Sequence, residues 1–134
     1  MSNTDYSRMS DFEINKRVGD VIKLEWADLD ENYSNLCYWK DGSLLVFNPC
    51  NNPADAWDII YNNNITVSAP MITDEPSYWL CYDTNNSDIS FNDKNSLRAA
   101  MIVFLKMQES KNISEEMLNN LEKTLKTENF DTYE

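Results

Sequence analysis

The sequence predicts an α+β domain: a small, mostly antiparallel sheet flanked by helices, α-β-α sandwich-like in its layering. Three observations carry that prediction. Short β-branched and aromatic runs alternate with turn residues, and one pair is joined by Asp41-Gly42, a strong signal for a tight hairpin. The run Ser43-Leu44-Leu45-Val46-Phe47 passes through Asn48-Pro49-Cys50-Asn51-Asn52 directly into a helical pattern from Ala54 to Tyr61. A third segment, about 96–108, carries Ala99, Ala100, Met101, Val103, Phe104 and Met107 over most of a helical surface, as expected of a helix buried in the core or against a partner.

In chain order, residues 1–9 are expected to be a flexible start. Ser10 and Glu13 then form a capping box, and Phe12, Ile14, Val18 and either Val21 or Ile22 supply the apolar positions of a helix ending near Gly19. Leu24, Trp26 and Leu29 are spread among acids, and Asp28, Asp30 and Glu31 lack the glycine and spacing of a calcium loop, so a solvated loop is expected. Leu36-Cys37-Tyr38-Trp39 reads as a strand paired with Leu44 to Phe47 through the Asp41-Gly42 turn. At the next junction Asn52 is a suitable N-cap, Pro53 fits the first helical position and Asp55 puts a carboxylate in the first turn. Asn62-Asn63-Asn64 ends that helix, because Asn tolerates the left-handed turn.

Ile65 to Ser68 and Ser77 to Tyr82 are the next strands, joined by a loop over 69–76. Asp83 to Ser87 reads as a turn, and Ile89 to Phe91 as a further short strand. Phe91-Asn92-Asp93-Lys94-Asn95 then echoes Phe47-Asn48-Pro49-Cys50-Asn51, a repeated junction or a coincidence, and if repeated it puts two helix N-termini on one sheet edge. Beyond the single domain over 10–110, residues 111–134 are expected to form a separate C-terminal helix capped by Ser114, with a frayed tail from Thr127. Its stripe of Met117, Leu118, Leu121 and Leu125 would dock on the domain or pair with another copy, the first being the commoner outcome for so short a stripe.

Composition excludes several functions. The 134 residues contain 23 acidic against 11 basic side chains, a formal net charge of −12, which repels phosphate backbones and anionic membranes. An acidic surface of this kind serves solubility or attracts a basic protein surface. There is no histidine, so Ser-His and Cys-His nucleophile pairs and imidazole metal ligation are closed. Cys37, Cys50 and Cys81 are odd in number and widely spaced, which fits reduced thiols rather than a disulfide framework or a zinc site. No apolar run is long enough to span a bilayer, and no secretory pattern opens the chain, so a cytosolic protein without cofactor or metal is expected.

The candidate binding residues lie at the two junctions. Asn48, Cys50, Asn51, Asn52, Asp55 and Trp57 belong to the first, and Lys94, Asn95 and Arg98 to the second. A helix N-terminus presents unpaired N–H groups to an anion, but asparagines in such a place also serve simply to satisfy the turn's own backbone. Trp57 and Trp79 could stack a base or fill the core. Arg98 could meet a phosphate or pair with Asp55 or Asp58. Cys50 at a helix start could be an activated thiolate, the least favoured option without a histidine beside it.

Three stretches together resemble the NinX family of tailed-phage accessory proteins: Asp11-Phe12-Glu13-Ile14-Asn15-Lys16, Phe47 through Trp57, and Lys94 through Phe104. They are also similar, more weakly, to phage α-β-α sandwich proteins in which an Ala-Trp helix and an Arg-Ala-Ala helix flank a small sheet. The likeness covers roughly residues 8–110 in the same order; Ser96 departs from the proline usual there, and neither 24–38 nor the tail after Ser110 takes part. The resemblance implies a small phage-encoded accessory protein of the infected cell's cytoplasm, directed at host functions such as antiviral defence, and it carries over no catalytic residue. Two modes of action follow as expectations. The first choice is sequestration of a small nucleotide-like signal at the junctions. The other is inhibition of a host protein by an acidic surface covering its basic, nucleic-acid-binding site. Homo-oligomerisation through the 96–108 helix or the C-terminal stripe is compatible with either.

Overall fold

A computed structural model describes residues 4–28, 35–70 and 77–132, with side chains described through Leu125. The elements are α1 (Asp11–Val21), β1 (Leu36–Lys40), β2 (Ser43–Phe47), α2 (Pro53–Asn62), β3 (Ile65–Ser68), β4 (Trp79–Asp83), β5 (Asn86–Asp93) and α3 (Ser96–Thr132), preceded by a 3₁₀ turn over Tyr6–Arg8. The α+β class is as expected. Within it the strands form two antiparallel sheets, β1-β2 and β3-β4-β5, rather than one.

The middle layer is the first part of α3. It packs against β3, β4 and β5 on one side and against α1 and α2 on the other. That placement explains seven consecutive residues, Ala99 to Leu105, each at most 4% exposed: the helix has no solvent side there. Small Ala99 and Ala100 let neighbouring elements come close, while Met101, Ile102, Val103 and Phe104 fill the space around them. Ile14 and Val18 of α1, Ala56, Ile59 and Ile60 of α2, and Cys81 of β4 complete the core.

Several boundaries follow local chemistry. Ser10 Oγ accepts from Glu13 N and starts α1, and Asn52 Oδ1 accepts from Ala54 N and starts α2. Asp41 and Gly42 both have positive φ, 51° and 79°, as a two-residue hairpin turn requires. Asn64, at φ 52°, takes the left-handed step after α2. The turn between β4 and β5 is shorter than expected: Asp83 pairs with Asn86 across Thr84-Asn85, so β5 begins three residues before Ile89.

Four expectations are corrected. The helix α1 does not end at Gly19; it runs to Val21, and Lys23 at φ 62° makes the left-handed exit instead. Gly19 is there for space, because a Cβ would lie 2.2 Å from Trp26 Cζ2. Residues 24–27 are not simply a solvated loop, since Ala27 N donates to Cys37 O, Trp39 N donates to Glu25 O, and Trp26 packs edge-on against Phe47. Residues 4–9 of the expected flexible start are tied down: Tyr6 is 3% exposed and its hydroxyl donates to the Glu109 carboxylate. Finally, no break separates a C-terminal helix. Ser114 lies inside α3, which continues unbroken to Thr132 through most of the expected frayed tail. Asp30, Glu31 and most of the 69–76 loop lie outside the described residues.

Candidate functional site

The two junctions do meet. Asn95 Nδ2 donates to Cys50 O at 2.7 Å and to Asn51 Oδ1 at 3.2 Å, tying the start of α3 to the turn before α2. The other face of the same amide caps α3, with Asn95 Oδ1 accepting from Leu97 N and Arg98 N. The echoed sequence therefore brings two helix starts to one edge, with the cap at Asn95 in the second and one position later, at Asn52, in the first.

Around this contact the polar atoms are used within the protein. Asn51 Nδ2 donates to Asp11 Oδ2 and Asn48 Oδ1. Asn15 Nδ2 also donates to Asn48 Oδ1, and Asn15 Oδ1 accepts from the buried Cys50 N–H at 3.0 Å. Asp55 reaches back to accept from Asn48 N at 2.9 Å and, more weakly, from Asn52 Nδ2. Among the described residues no buried side-chain N or O lacks a hydrogen-bond partner.

Arg98 is held on all sides. Its side chain is 11% exposed; Nη1 donates to Asp11 Oδ1 at 2.8 Å, and Nη2 donates to Tyr6 O and Met9 O at 3.1 and 2.7 Å. Asp93 lies 3.8 Å from Nε. The expected partners, Asp55 and Asp58, are not its partners. With Asp11 and Asp93 already facing it, Arg98 offers no positive excess to a phosphate.

Cys50 is fully buried, and burial pushes its thiol up to about 12, with the Asp11 carboxylate adding to the rise. An activated thiolate at this helix start is thereby corrected: the desolvation cost outweighs the favourable field of the helix and of Arg98. Trp57 is 63% exposed, so it is neither core nor part of the hydrogen-bonded knot, and Lys94 is likewise exposed outside it. Trp79 is half-buried.

Asn15, Asp11 and the carbonyls of Tyr6 and Met9 were not among the candidates, although they complete the knot. The available signal was Asn15 itself, a polar residue flanked by Ile14 and Val18 on the buried side of α1. Beside the knot a shallow recess of about 130 Å³ is lined by Asp11, Phe12, Asn15, Asn35, Phe47 and Asn48, among others. That is below the roughly 300–1,000 Å³ usual for small-molecule sites. No group of described side chains has the make-up of a metal site, and no described helix is long and apolar enough to cross a membrane.

The second distinctive surface is the far part of α3. Met117, Leu118, Leu121 and Leu125 are 66, 58, 53 and 47% exposed. Met117, Leu118 and Leu121 line an open groove along the helix with Ser114, Asn120 and Thr124. No curated protein and no solved structure matches the chain significantly. The family described as Bacteriophage P22, NinX matches residues 5–108, from the 3₁₀ turn through the buried part of α3, and the chain therefore belongs to the NinX family.

Proposed function

We propose that this protein is a non-enzymatic phage accessory protein that counters host antiviral defence by binding a host protein at a basic surface. The observation that carries this reading is the distribution of charge. Acidic residues outnumber basic ones 23 to 11. Arg98 is paired with Asp11 and Lys16 with Asp20, Lys106 is held by the Ser90 carbonyl and the Phe91 ring, and exposed cations such as Arg17, Lys23, Lys40 and Lys94 are too few to offset the acids. The carboxylates of Glu25, Asp28, Asp41, Asp58, Glu115 and Glu122 stand exposed, and the net charge of −12 is expressed as an acidic exterior. Such a field steers a basic partner and competes with nucleic acid for it.

Sequestration of a nucleotide-like signal has less support. The asparagine edges that would read a base are bonded to one another, Arg98 is already paired, and the adjoining recess is small.

Native mass spectrometry of the protein purified from bacteria carrying an active nucleotide-signalling defence tests the choice. The expected result is a co-purifying host protein whose complex dissociates steeply as salt is raised. A nucleotide-sized adduct on an otherwise single chain overturns the reading in favour of sequestration.

A further inference from the structure

We propose that the exposed half of α3 docks an amphipathic helix of another protein whose apolar stripe is bordered by lysine or arginine. This deepens the reading above by naming the surface and the chemistry of the partner, and it relies on that reading only for the partner's being a host protein.

The helix spans 37 residues, about 55 Å at 1.5 Å per residue. Its core packing stops near Leu105, and from Ser110 to Leu125 every described side chain but Ile113 is exposed. An isolated helical stretch of this length is marginal in water without a packed face. Leu118, Leu121 and Leu125 follow the 3–4 spacing of a helix-pairing seam, with Met117 beside them. In heptad terms Leu118 and Leu125 are at a, Leu121 is at d, and Glu115 and Glu122 occupy the flanking e positions.

Charge selects the occupant. In an antiparallel pair of two copies, Glu115 of one faces Glu122 of the other. In a parallel pair Glu115 and Glu122 face Ser110 and Met117, with no cation to meet them, while Lys111 falls at an a position opposite itself. Each copy also brings a net charge of −12. A helix with lysine or arginine along the border of its own apolar stripe satisfies both Glu115 and Glu122 while covering the leucines.

The test uses the full chain and two labelled three-heptad peptides with leucine at a and d, one carrying lysine and the other glutamate at e and g, followed by fluorescence anisotropy. The lysine peptide is expected to bind, the glutamate peptide at least about tenfold more weakly. Leu118→Asp with Leu121→Asp should abolish binding while thermal unfolding of the core is unchanged. Glu115→Lys with Glu122→Lys should reverse the preference, a result that loss of folding cannot produce. Equal binding of both peptides overturns the proposal, as does binding that survives the two aspartates. A dimer in sedimentation equilibrium that Leu121→Asp dissociates overturns it too, since the occupant is then a second copy. The two readings fail separately. If the peptide rule holds but no host protein accompanies the purified chain, the surface stands and the host-inhibitor reading falls. If a salt-sensitive host complex survives the two aspartates, the reverse is true.

Discussion

Arg98 and Asp11, 87 positions apart, meet at 2.8 Å between Nη1 and Oδ1, and that contact fastens α1 to the start of the central helix. The same guanidinium holds the Tyr6 and Met9 carbonyls, so one side chain anchors the N-terminal segment, α1 and α3. Lysine cannot reproduce a planar fork that serves three acceptors. Arg98→Lys is expected to cost about 2–3 kcal/mol in urea unfolding, less than a fully buried pair because Asp11 is 42% exposed. A double-mutant cycle with Asp11→Asn should show a coupling of about 1–2 kcal/mol; simple additivity would mean the pair is incidental.

Asn15 and Asn51 test whether the asparagine knot is a scaffold. Asn15→Ala orphans the buried Cys50 N–H and removes a donor from Asn48, so a loss of about 2–3 kcal/mol is expected. Asn51 is exposed, and water can replace its partners, so Asn51→Ala should cost about 1 kcal/mol or less. Comparable losses at the two positions would contradict the distinction drawn from burial.

Much of this fold was legible, and the reasons are local. Asp41-Gly42, Asn52-Pro53 and Asn62 to Asn64 each specify a backbone geometry within a few residues, and the structure has those geometries. The all-round apolar character of 99–105 likewise pointed to a buried helix, because no amphipathic pattern is needed where every side is covered. What was not legible depends on distant partners. Gly19 looked like a helix stop, and only the Trp26 ring folded over it shows why a side chain is excluded there. The asparagines advertised a binding site by their density, yet their partners come from Asp11, Asn15 and Asp55, which no spacing rule connects to them. The supposed break before the C-terminal helix rested on Ser114 as a capping residue, but neither Gly nor Pro stands there to force an interruption.

Gly19→Ala sets helix propensity against packing. In an open helix the change would gain about 1 kcal/mol. Here the new methyl meets Trp26 Cζ2 and Cη2 at 2.2 and 2.3 Å, and the indole is held by its N–H donated to Asp20 Oδ1 at 2.8 Å. A net loss of about 1–3 kcal/mol is expected, with a red-shifted tryptophan emission as the ring is displaced. A stabilised variant with unchanged emission would show that the ring yields freely.

The buried thiols make stability fall in alkali. Burial raises both Cys50 and Cys81 to about 12 from an ordinary value of 9.0. Between those values the unfolded chain has lost thiol protons that the folded chain keeps, so unfolding is favoured increasingly as pH rises above 9. Each thiol contributes a slope of up to about 1.4 kcal/mol per pH unit in that window, and none below it. Urea midpoints from pH 7 to 10.5 should show the decline, and Cys81→Ala should flatten it. In the folded protein at pH 8, iodoacetamide should leave Cys50 unmodified until denaturant is added.

The exposed part of α3 should behave as a separate layer of stability although it is one helix with the core. Amides in 99–105 open only with the whole domain, because sheet and helices cover them on both sides. Amides in 114–125 have intrahelical bonds but exposed side chains, so they can fray from the distal end without disturbing the core. Hydrogen exchange should therefore show a step in protection near Ser110, large for the isolated chain and diminished when the lysine-bordered peptide is bound. Truncation after Asn112 keeps Glu109 and its bonds to Tyr6 and Thr4, and should lower the unfolding temperature by no more than about 4 °C, the equivalent of roughly 1 kcal/mol. A larger drop would mean that the leucine stripe already packs on its own domain, and would remove the free face on which the docking proposal depends.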